Sequence, residues 1–302
     1  MIDCVDQARV QGGDDLRKKF WMANTRVVRQ SWTIFASVLG LAATILAFLD
    51  IDIKLRVTVL VILIVIFPAS YLGILIWTYF KRSITLNVGD SEISVEQGDI
   101  FAPKYWDDVG SIKVFAFNEY FDTIVDDKII SHRSLNGQVI ERLIPKTITL
   151  ENLDEKIAAD QSLSTNQVSL NSNREAGKQQ KYKLGTIFEF SESIFFTALT
   201  HFDENNRAFL SIQDYIGFLM KFWDEIDSKY AGRTVVITLF GSGITRLEQN
   251  AFSNQQLLEI LLWTCKLRKI RFKKPAKFVI LLDSKTNETI NYYKVRSNFY
   301  GI

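Results

Sequence analysis

The runs SWTIFASVLGLAATILAFL, residues 31–49, and VTVLVILIVIFPASYLGILIWTYF, residues 57–80, decide the architecture of the N-terminal part of this 302-residue chain. Neither run contains a charged residue, and only the short polar link 50–56 separates them. A helix rises about 1.5 Å per residue, so each run can cross a hydrocarbon layer roughly 30 Å thick. Backbone groups in lipid must be paired within their own segment, which favours helices. The sequence therefore predicts an antiparallel transmembrane helical hairpin over residues 31–80.

The charges and aromatic residues around the hairpin predict its orientation. Lys and Arg are more frequent before the first run than in the link, and basic residues are retained on the cytoplasmic side of a membrane. Trp32, Trp77 and Tyr79 lie at the ends that share this side, as an aromatic belt requires. We therefore expect a multi-pass membrane protein with both termini in the cytoplasm. The alternative is a buried hairpin of a soluble protein, but buried helices rarely run this long without a charge.

A stripe of small residues marks one face of the first run. It consists of Ala36, Gly40, Ala43 and Ala47, at steps of four, three and four. Such a face lets helices approach closely in lipid. The contact can lie within the hairpin or between copies of the chain, and the sequence leaves both open.

The overall composition excludes several classes of function. A net charge of +2 is too small to indicate a nucleic-acid partner. Cys4 and Cys265 lie in different regions, and His132 and His201 are the only histidines, so neither a disulfide framework nor a His-rich metal site is expected. We predict no metal and no cofactor.

The residues after the hairpin alternate between strand and helix patterns. Apolar, β-rich runs cover residues 84–95, 112–117, 140–150, 185–190, 194–202, 234–240 and 278–282. Helical patterns cover residues 152–163, 211–226 and 253–267, and the polar residues 165–181 indicate a surface loop. This alternation predicts a three-layer α/β/α domain with a mixed central sheet. The predicted organisation is an N-terminal segment 1–30, a hairpin 31–80 and an α/β domain 83–302.

Two of the predicted strands end in polar stretches of the kind that bind ligands in open α/β sheets. Asp99, after Gly98, can accept a hydrogen bond from a base, and Ile100 offers an apolar floor. The second stretch is Asn-Glu-Tyr-Phe-Asp-Thr at residues 118–123. The ring of Phe121 can stack on a ligand ring, and the Asn118 amide or the Asp122 carboxylate can bind ribose hydroxyls.

A third stretch, Gly-Ser-Gly-Ile-Thr-Arg at residues 241–246, follows the buried strand 234–240 and precedes a helix. Its two glycines let backbone amides approach a phosphate, and Arg246 adds positive charge. A surface ion pair of Arg246 with an acid such as Glu248 is an equal alternative.

Together with Ser-Leu-Asn-Gly at residues 134–137, these stretches resemble a macro domain, the fold that binds ADP-ribose and its derivatives. They are most similar to the membrane-anchored effectors of Thoeris antiphage defence, and the resemblance covers essentially the whole chain, including the hairpin. It implies that a partner TIR-domain enzyme converts NAD into an ADP-ribose derivative, a histidine adduct in this branch. Binding of this signal would drive homo-oligomeric assembly of the hairpins in the lipid of the bacterial inner membrane, membrane disruption and abortive infection.

The resemblance also implies a set of ligand-binding residues by position. Asp99 and Ile100 would meet adenine, and Asn118, Phe121 and Asp122 would lie near the distal ribose and the group attached to it. Gly137 would begin a helix near the diphosphate, and Asn136 beside it stands where this branch more often has His. Gly241, Ser242, Gly243, Ile244 and Thr245 would wrap the phosphates, and Arg246 would hold an anionic group.

Two departures from hydrolytic macro domains favour a receptor without catalytic activity. Those enzymes carry Val-Asn-Ala-Ala-Asn where this chain has residues 117–121, so that Phe121 replaces their second Asn. Their triple-glycine loop is also missing. The alternatives are a membrane-tethered ADP-ribosyl hydrolase or NAD-consuming macro domain, and a membrane scaffold whose α/β domain binds protein.

Overall fold

The computed structural model describes residues 25–48, 52–203, 205–243, 246–247, 252–268, 272 and 276–301. The chain divides into two compact units, Met1–Arg82 with Asn291–Tyr293, and Ser83–Ile290 with Lys294–Ile302. Most of the predicted N-terminal segment 1–30 lies outside the described residues.

The first unit contains two helices where the sequence predicts them. Helices α1 (Thr25–Phe48) and α2 (Ile53–Phe80) pack against one another. Within α2, the segment Ile53–Ile74 is long and apolar enough to cross a membrane, and none of it is buried by the chain. The apolar part of α1, Ser31–Ile45, is shorter than a full span. A single candidate span is therefore found in the described residues, and the two-span hairpin stays a prediction.

The second unit is built around a mixed β-sheet. Its strands are β1 (Ser83–Val88), β2 (Ser91–Gln97), β3 (Ser111–Asn118), β4 (Gln167–Leu170), β5 (Gln180–Tyr182), β6 (Ile187–Ser191), β7 (Ile194–Phe202), β8 (Ala208–Leu210), β9 (Thr234–Thr238), β10 (Arg246–Leu247) and β11 (Lys277–Leu282). Its helices are α3 (Pro103–Trp106), α4 (Leu135–Leu143), α5 (Leu150–Ala159), α6 (Gln161–Ser164), α7 (Ile212–Lys229), α8 (Asn254–Arg268) and α9 (Ser284–Thr289). A last helix, α10 (Tyr292–Tyr300), contains residues of both units.

The order of the strands brings several carboxyl ends to one edge. The main sheet runs β1-β2-β11-β9-β3-β7-β8-β10, with β6 beside β7. Strands β2, β11, β9, β3 and β7 are mutually parallel. Strand β1 pairs antiparallel with β2, and both β6 and β8 pair antiparallel with β7, whereas β10 pairs parallel with β8. The residues that follow the five parallel strands therefore lie side by side.

Helices cover both faces of this sheet, as the alternating pattern predicts. Val279 and Leu281 of β11 join a core cluster with Val139 of α4 and Leu153 of α5. The intervening Phe278 points to the other face, where its ring lies 4.8 Å from that of Trp223 in α7. Because successive side chains of a strand point to opposite faces, one buried apolar run supplies both layers. The three-layer α/β/α arrangement with a mixed sheet is confirmed.

The predicted strand 140–150 is wrong. Residues up to Leu143 complete α4, and Leu150 begins α5. The helix begins at Ser134, whose Oγ accepts a hydrogen bond from the Gly137 amide at 3.1 Å. One side of the helix is buried, at Val139, Ile140 and Leu143. This helical spacing is hard to recognise in the sequence because the run as a whole is apolar.

Gly185 lies between β5 and β6, where the backbone passes close to α7. Its φ is +85°, and a Cβ there would lie 2.7 Å from the Phe218 carbonyl oxygen. We expect Gly185→Ala to lower the free energy of unfolding by about 2–4 kcal/mol. The cost of a left-handed backbone for alanine and the cost of the clash with Phe218 add together. Gly232 is the matched control, since its φ is +73° and a Cβ there would have no neighbour within 4 Å in the described part of the chain. Gly232→Ala should cost about 1–2 kcal/mol. Chemical denaturation of the full chain in detergent measures both, and equal losses would contradict the steric account.

Candidate ligand-binding cleft

A cleft of about 1150 Å³ opens at the carboxyl edge of the parallel strands. Its walls are formed by residues at and after the carboxyl ends of β2, β3, β7, β9 and β11, and by the segments 127–131, 133–136 and 205–208. Ligands of α/β proteins bind at this edge because loops from separate strands converge there. The cleft therefore lies where the sequence places its three polar stretches.

Asp99 and Ile100 line one end of the cleft, beyond β2. The Asp99 Oδ1 accepts a hydrogen bond from the Phe101 amide at 2.9 Å. Its Oδ2 makes no hydrogen bond to any described residue. Ile100 is buried and belongs to the core cluster. The acid thus holds a turn and still presents an acceptor above an apolar floor.

The glycine loop after β9 also lines the cleft, at Gly241, Ser242 and Gly243. Gly241 has φ +82°, which favours glycine, and the Ser242 hydroxyl donates to the Leu239 carbonyl at 2.7 Å. Ile244 and Thr245 lie outside the described residues. The backbone of Arg246 lies in β10 and pairs with Phe209 of β8.

The start of α4 forms another part of the wall. Asn136 lines the cleft, whereas Gly137 is buried behind it with its amide bonded to the Ser134 hydroxyl. A Cβ at Gly137 would lie 2.3 Å from the carbonyl oxygen of Ser131, another lining residue. Glycine at this position lets the segment before α4 fold close to the helix.

The residues after β3 divide between the cleft and the core. Asn118 lines the cleft, and its Nδ2 donates to the Asp122 Oδ2 at 3.0 Å. Phe121 and Asp122 are fully buried and are not part of the lining. Phe121 packs on Phe117 and Tyr182, with ring centroids 6.3 and 5.6 Å away. The structure thus brings Asn118 to the cleft, but not the two residues predicted beside it.

Arg174, which the sequence analysis assigned to a surface loop, compensates the buried Asp122. Its Nη2 lies 2.7 Å from the Asp122 Oδ2 and its Nη1 lies 3.0 Å from Oδ1. The Lys178 amide donates to the same Oδ1 at 2.7 Å. The guanidinium also stacks 4.0 Å above the Tyr120 ring. We call residues 171–178 the strap, because they tie β4 and β5 to the end of β3.

A second buried carboxylate, Glu119, lies behind the cleft. Its oxygens lie 2.7 Å from the His201 Nδ1 and 3.0 Å from the Lys181 Nζ. Burial raises the pKa of Glu119, but the hydrogen bonds from His201 and Lys181 outweigh this and hold the pKa below its ordinary value. The hydrogen bond to Glu119 raises the pKa of His201, and Asp214, 3.8 Å from Nε2, adds to the rise.

The sequence analysis did not identify several of the residues that line the cleft. They include Lys128, Arg133, Asn205, Asn206, Arg207, Asp283 and Ser284. For Asp283 a signal was available, because it directly follows the buried strand β11, as Asp99 follows β2 with one residue between. The others lie in turns whose positions depend on tertiary contacts. Within the described residues, no cluster of His, Cys, Asp and Glu is arranged to hold a metal ion.

Comparison with known proteins extends these observations. Residues 93–283 match the family model described as Thoeris protein ThsA, macro domain. With its mixed sheet, two helical layers and cleft at the strand ends, the second unit is a macro domain.

A curated relative shows the same family over most of the chain. The "Thoeris protein ThsA" of Bacillus amyloliquefaciens strain Y2 is 36% identical over 269 residues, which cover 89% of this chain and 88% of that protein. The chain therefore belongs to the Thoeris ThsA macro-domain family, as the sequence motifs predicted.

Solved structures with a related fold include macrodomains of Oceanobacillus iheyensis. One with ADP is 11% identical and covers 73% of this chain and 98% of that chain, with a TM-score of 0.44. A mutant with ADPR is 12% identical and covers 73% of this chain and 100% of that chain, with a TM-score of 0.45. Likenesses at this level concern the fold alone.

The Glu119–His201 pair predicts how stability depends on pH. The folded-state pKa of His201 lies above 6.5, so its stabilisation is complete below that pH and is lost as the pH rises through the folded-state value. Between about pH 6 and pH 9 the wild-type chain should lose on the order of 1 kcal/mol more stability than His201→Gln, which cannot ionise. Denaturant titrations across this range, in detergent, measure the difference. Parallel curves for the two proteins would refute the assignment.

Proposed function

We propose that this protein is a non-enzymatic receptor whose macro domain binds an ADP-ribose derivative and thereby controls a membrane-anchored assembly. The observation that carries this proposal is the cleft, which is lined by an acid at Asp99 after β2, a glycine loop at residues 241–243 after β9 and an amide at Asn118, the last residue of β3. These groups suit a base, a diphosphate and a ribose respectively.

The dimensions of the cleft agree with a two-ended nucleotide. Strands in a sheet lie about 4.8 Å apart, so the end of β2 and the end of β7, four strands away, are roughly 19 Å apart. The glycine loop after β9 lies between them. In this proposal the base, the diphosphate and the distal sugar lie in that order along one edge, and a separation of this length supports a ligand longer than a mononucleotide.

The burial of Phe121 and Asp122 supports binding without turnover. An apolar ring packed in the core offers no group to position a water molecule, and the Asp122 carboxylate is already paired with Arg174. The Asn118 oxygen accepts from the Tyr120 and Asp122 amides at 3.0 and 3.3 Å. The side chains of Asn118 and Asp122 are therefore held in structural bonds, which favours a receptor over a hydrolase.

Membership of the Thoeris family supports a role in antiphage defence. In this proposal a TIR-domain enzyme supplies the signal, which we take to be a histidine adduct of ADP-ribose. The α1–α2 pair anchors the protein in the inner membrane with both termini in the cytoplasm. Signal binding then favours a homo-oligomer that disrupts the membrane and ends the infection. Ile53–Ile74 supports the anchor by its length and composition.

Calorimetry tests the binding step. Full-length protein in detergent is titrated with ADP-ribose and with its histidine adduct, and the ligands are analysed afterwards by mass spectrometry. We expect saturable binding and intact ligand. Gly241→Ala should weaken binding about tenfold, because the left-handed strain displaces the amides of the loop. Gly232→Ala, with similar strain at a position outside the cleft, should bind normally. Ligand degradation would support the hydrolase instead, and absence of heat would remove the proposal.

The small-residue stripe of α1 tests the assembly step. Ala36, Gly40 and Ala43 are exposed in the single chain, and a Cβ at Gly40 would meet nothing within 4 Å among the described residues. Gly40→Leu should therefore abolish toxicity in infected cells by blocking contact between copies, while ligand binding stays intact. Gly73→Leu on α2, where a Cβ also meets nothing within 4 Å, is the matched control and should stay toxic. Full toxicity of Gly40→Leu would exclude this face.

A further inference from the structure

The turn between β7 and β8 carries an asparagine in an uncommon conformation. Asn206 has φ +56°, in the left-handed region, and its amide donates to the Asp203 carbonyl at 3.0 Å. The Asp203 Oδ1 accepts from the amides of Asn205 and Arg207, both at 2.8 Å. The turn is thus closed by its own hydrogen bonds and holds Asn206 at its tip.

The side chain of Asn206 is fixed by Arg174. Its Oδ1 accepts from the Arg174 Nη2 at 2.7 Å and from Nε at 3.2 Å. The guanidinium cannot turn away, because it is paired with the fully buried Asp122 and stacked on Tyr120. The planar guanidinium group of Arg174 therefore determines the orientation of the Asn206 side-chain amide.

This orientation leaves the Asn206 nitrogen free. Oδ1 and Nδ2 leave the same carbon in different directions, so an oxygen held by Arg174 directs the two N–H groups away from it. Nδ2 donates to no residue in the part of the chain that the structure describes. Asn206 is half-buried and lines the cleft. An oriented donor pair of this kind recognises an oxygen acceptor on a ligand.

The position of Asn206 along the sheet edge identifies the acceptor. Asp99 follows β2 near one end of the edge, the glycine loop follows β9, and Asn206 follows β7 beyond it. A base at Asp99 and a diphosphate at the loop leave the second sugar, or its substituent, next to Asn206. We infer that Asn206 contacts this distal part of the ligand and decides between ADP-ribose and ADP, and that Arg174 is the residue that positions it. This inference rests on the proposed function.

Two conservative variants test the two roles. Asn206→Asp keeps an oxygen for Arg174 but replaces the donor pair with an acceptor, so it should weaken ADP-ribose binding tenfold or more and leave ADP binding unchanged. Arg174→Lys keeps a cation beside Asp122 but loses the fork that orients Asn206, so it should weaken ADP-ribose binding several-fold with ADP again unchanged. Asn171→Asp is the control, since Asn171 lies in the same strap, bonds the Tyr120 hydroxyl at 3.0 Å and does not line the cleft.

The measurement is the ratio of dissociation constants for ADP-ribose and ADP, obtained by calorimetry on each full-length variant in detergent. Thermal melts identify any variant that fails to fold, and Asn206→Asp alone is then sufficient. A loss of affinity for both ligands in equal proportion would show a structural role only and overturn the inference. Unchanged affinities would overturn it as well. If the wild-type chain binds neither ADP-ribose nor its histidine adduct, the proposed function fails; if it binds ADP-ribose and the ratio never moves, only this inference fails.

Discussion

A carboxylate with no exposure to water constrains the whole region behind the cleft. Asp122 has 0% exposed surface, and an isolated charge in such a place is unstable unless it is paired and hydrogen-bonded. Arg174, the Lys178 amide and the Asn118 amide group supply these partners from two separate segments. The strap and the end of β3 must therefore stay together for either to fold. Since Asn118 lines the cleft, the same requirement fixes the floor on which a ligand would lie.

The strained backbone of Phe121, next to Asp122, also follows from the need to pair the buried Asp122 carboxylate. Phe121 adopts φ +50°, a conformation that a bulky residue reaches only when its surroundings enforce it. The Phe121 amide donates to the Asn118 carbonyl at 3.0 Å, and its ring is packed between other rings of the core. A tight turn of this kind aims Asp122 inwards at Arg174. The geometry that satisfies the buried ion pair thus removes both side chains from the cleft, which is why their residue types misled a prediction of ligand contact.

The sequence predicted what depends on local pattern and missed what depends on distant contacts. Strand β11 and helix α7 follow from a continuous apolar run and from a helical period begun at Ser211, whose Oγ accepts from the Asp214 amide at 3.0 Å. Asp99 and the start of the glycine loop could be placed at the cleft because each lies within three residues of the end of a strand. Arg174 could not be found in this way. It lies in a polar stretch with few apolar residues, and nothing in that stretch indicates that Arg174 pairs with Asp122, 52 positions away. Asn206 was missed for the same reason.

The division between local and distant contacts also separates the parts of the cleft that a buried ion pair holds from those that a local hydrogen bond holds. The floor at Asn118 is tied by a buried ion pair, whereas the loop after β9 is held locally through Ser242 and the Leu239 carbonyl. A ligand shifts a conformational equilibrium only by binding one state better than another. Groups that are equally placed in both states contribute affinity and no shift. Under the proposed function, the loop after β9 is therefore the part of the cleft where ligand-binding energy can be converted into a change of assembly, since the β7–β8 turn is tied through Arg174 to the buried Asp122.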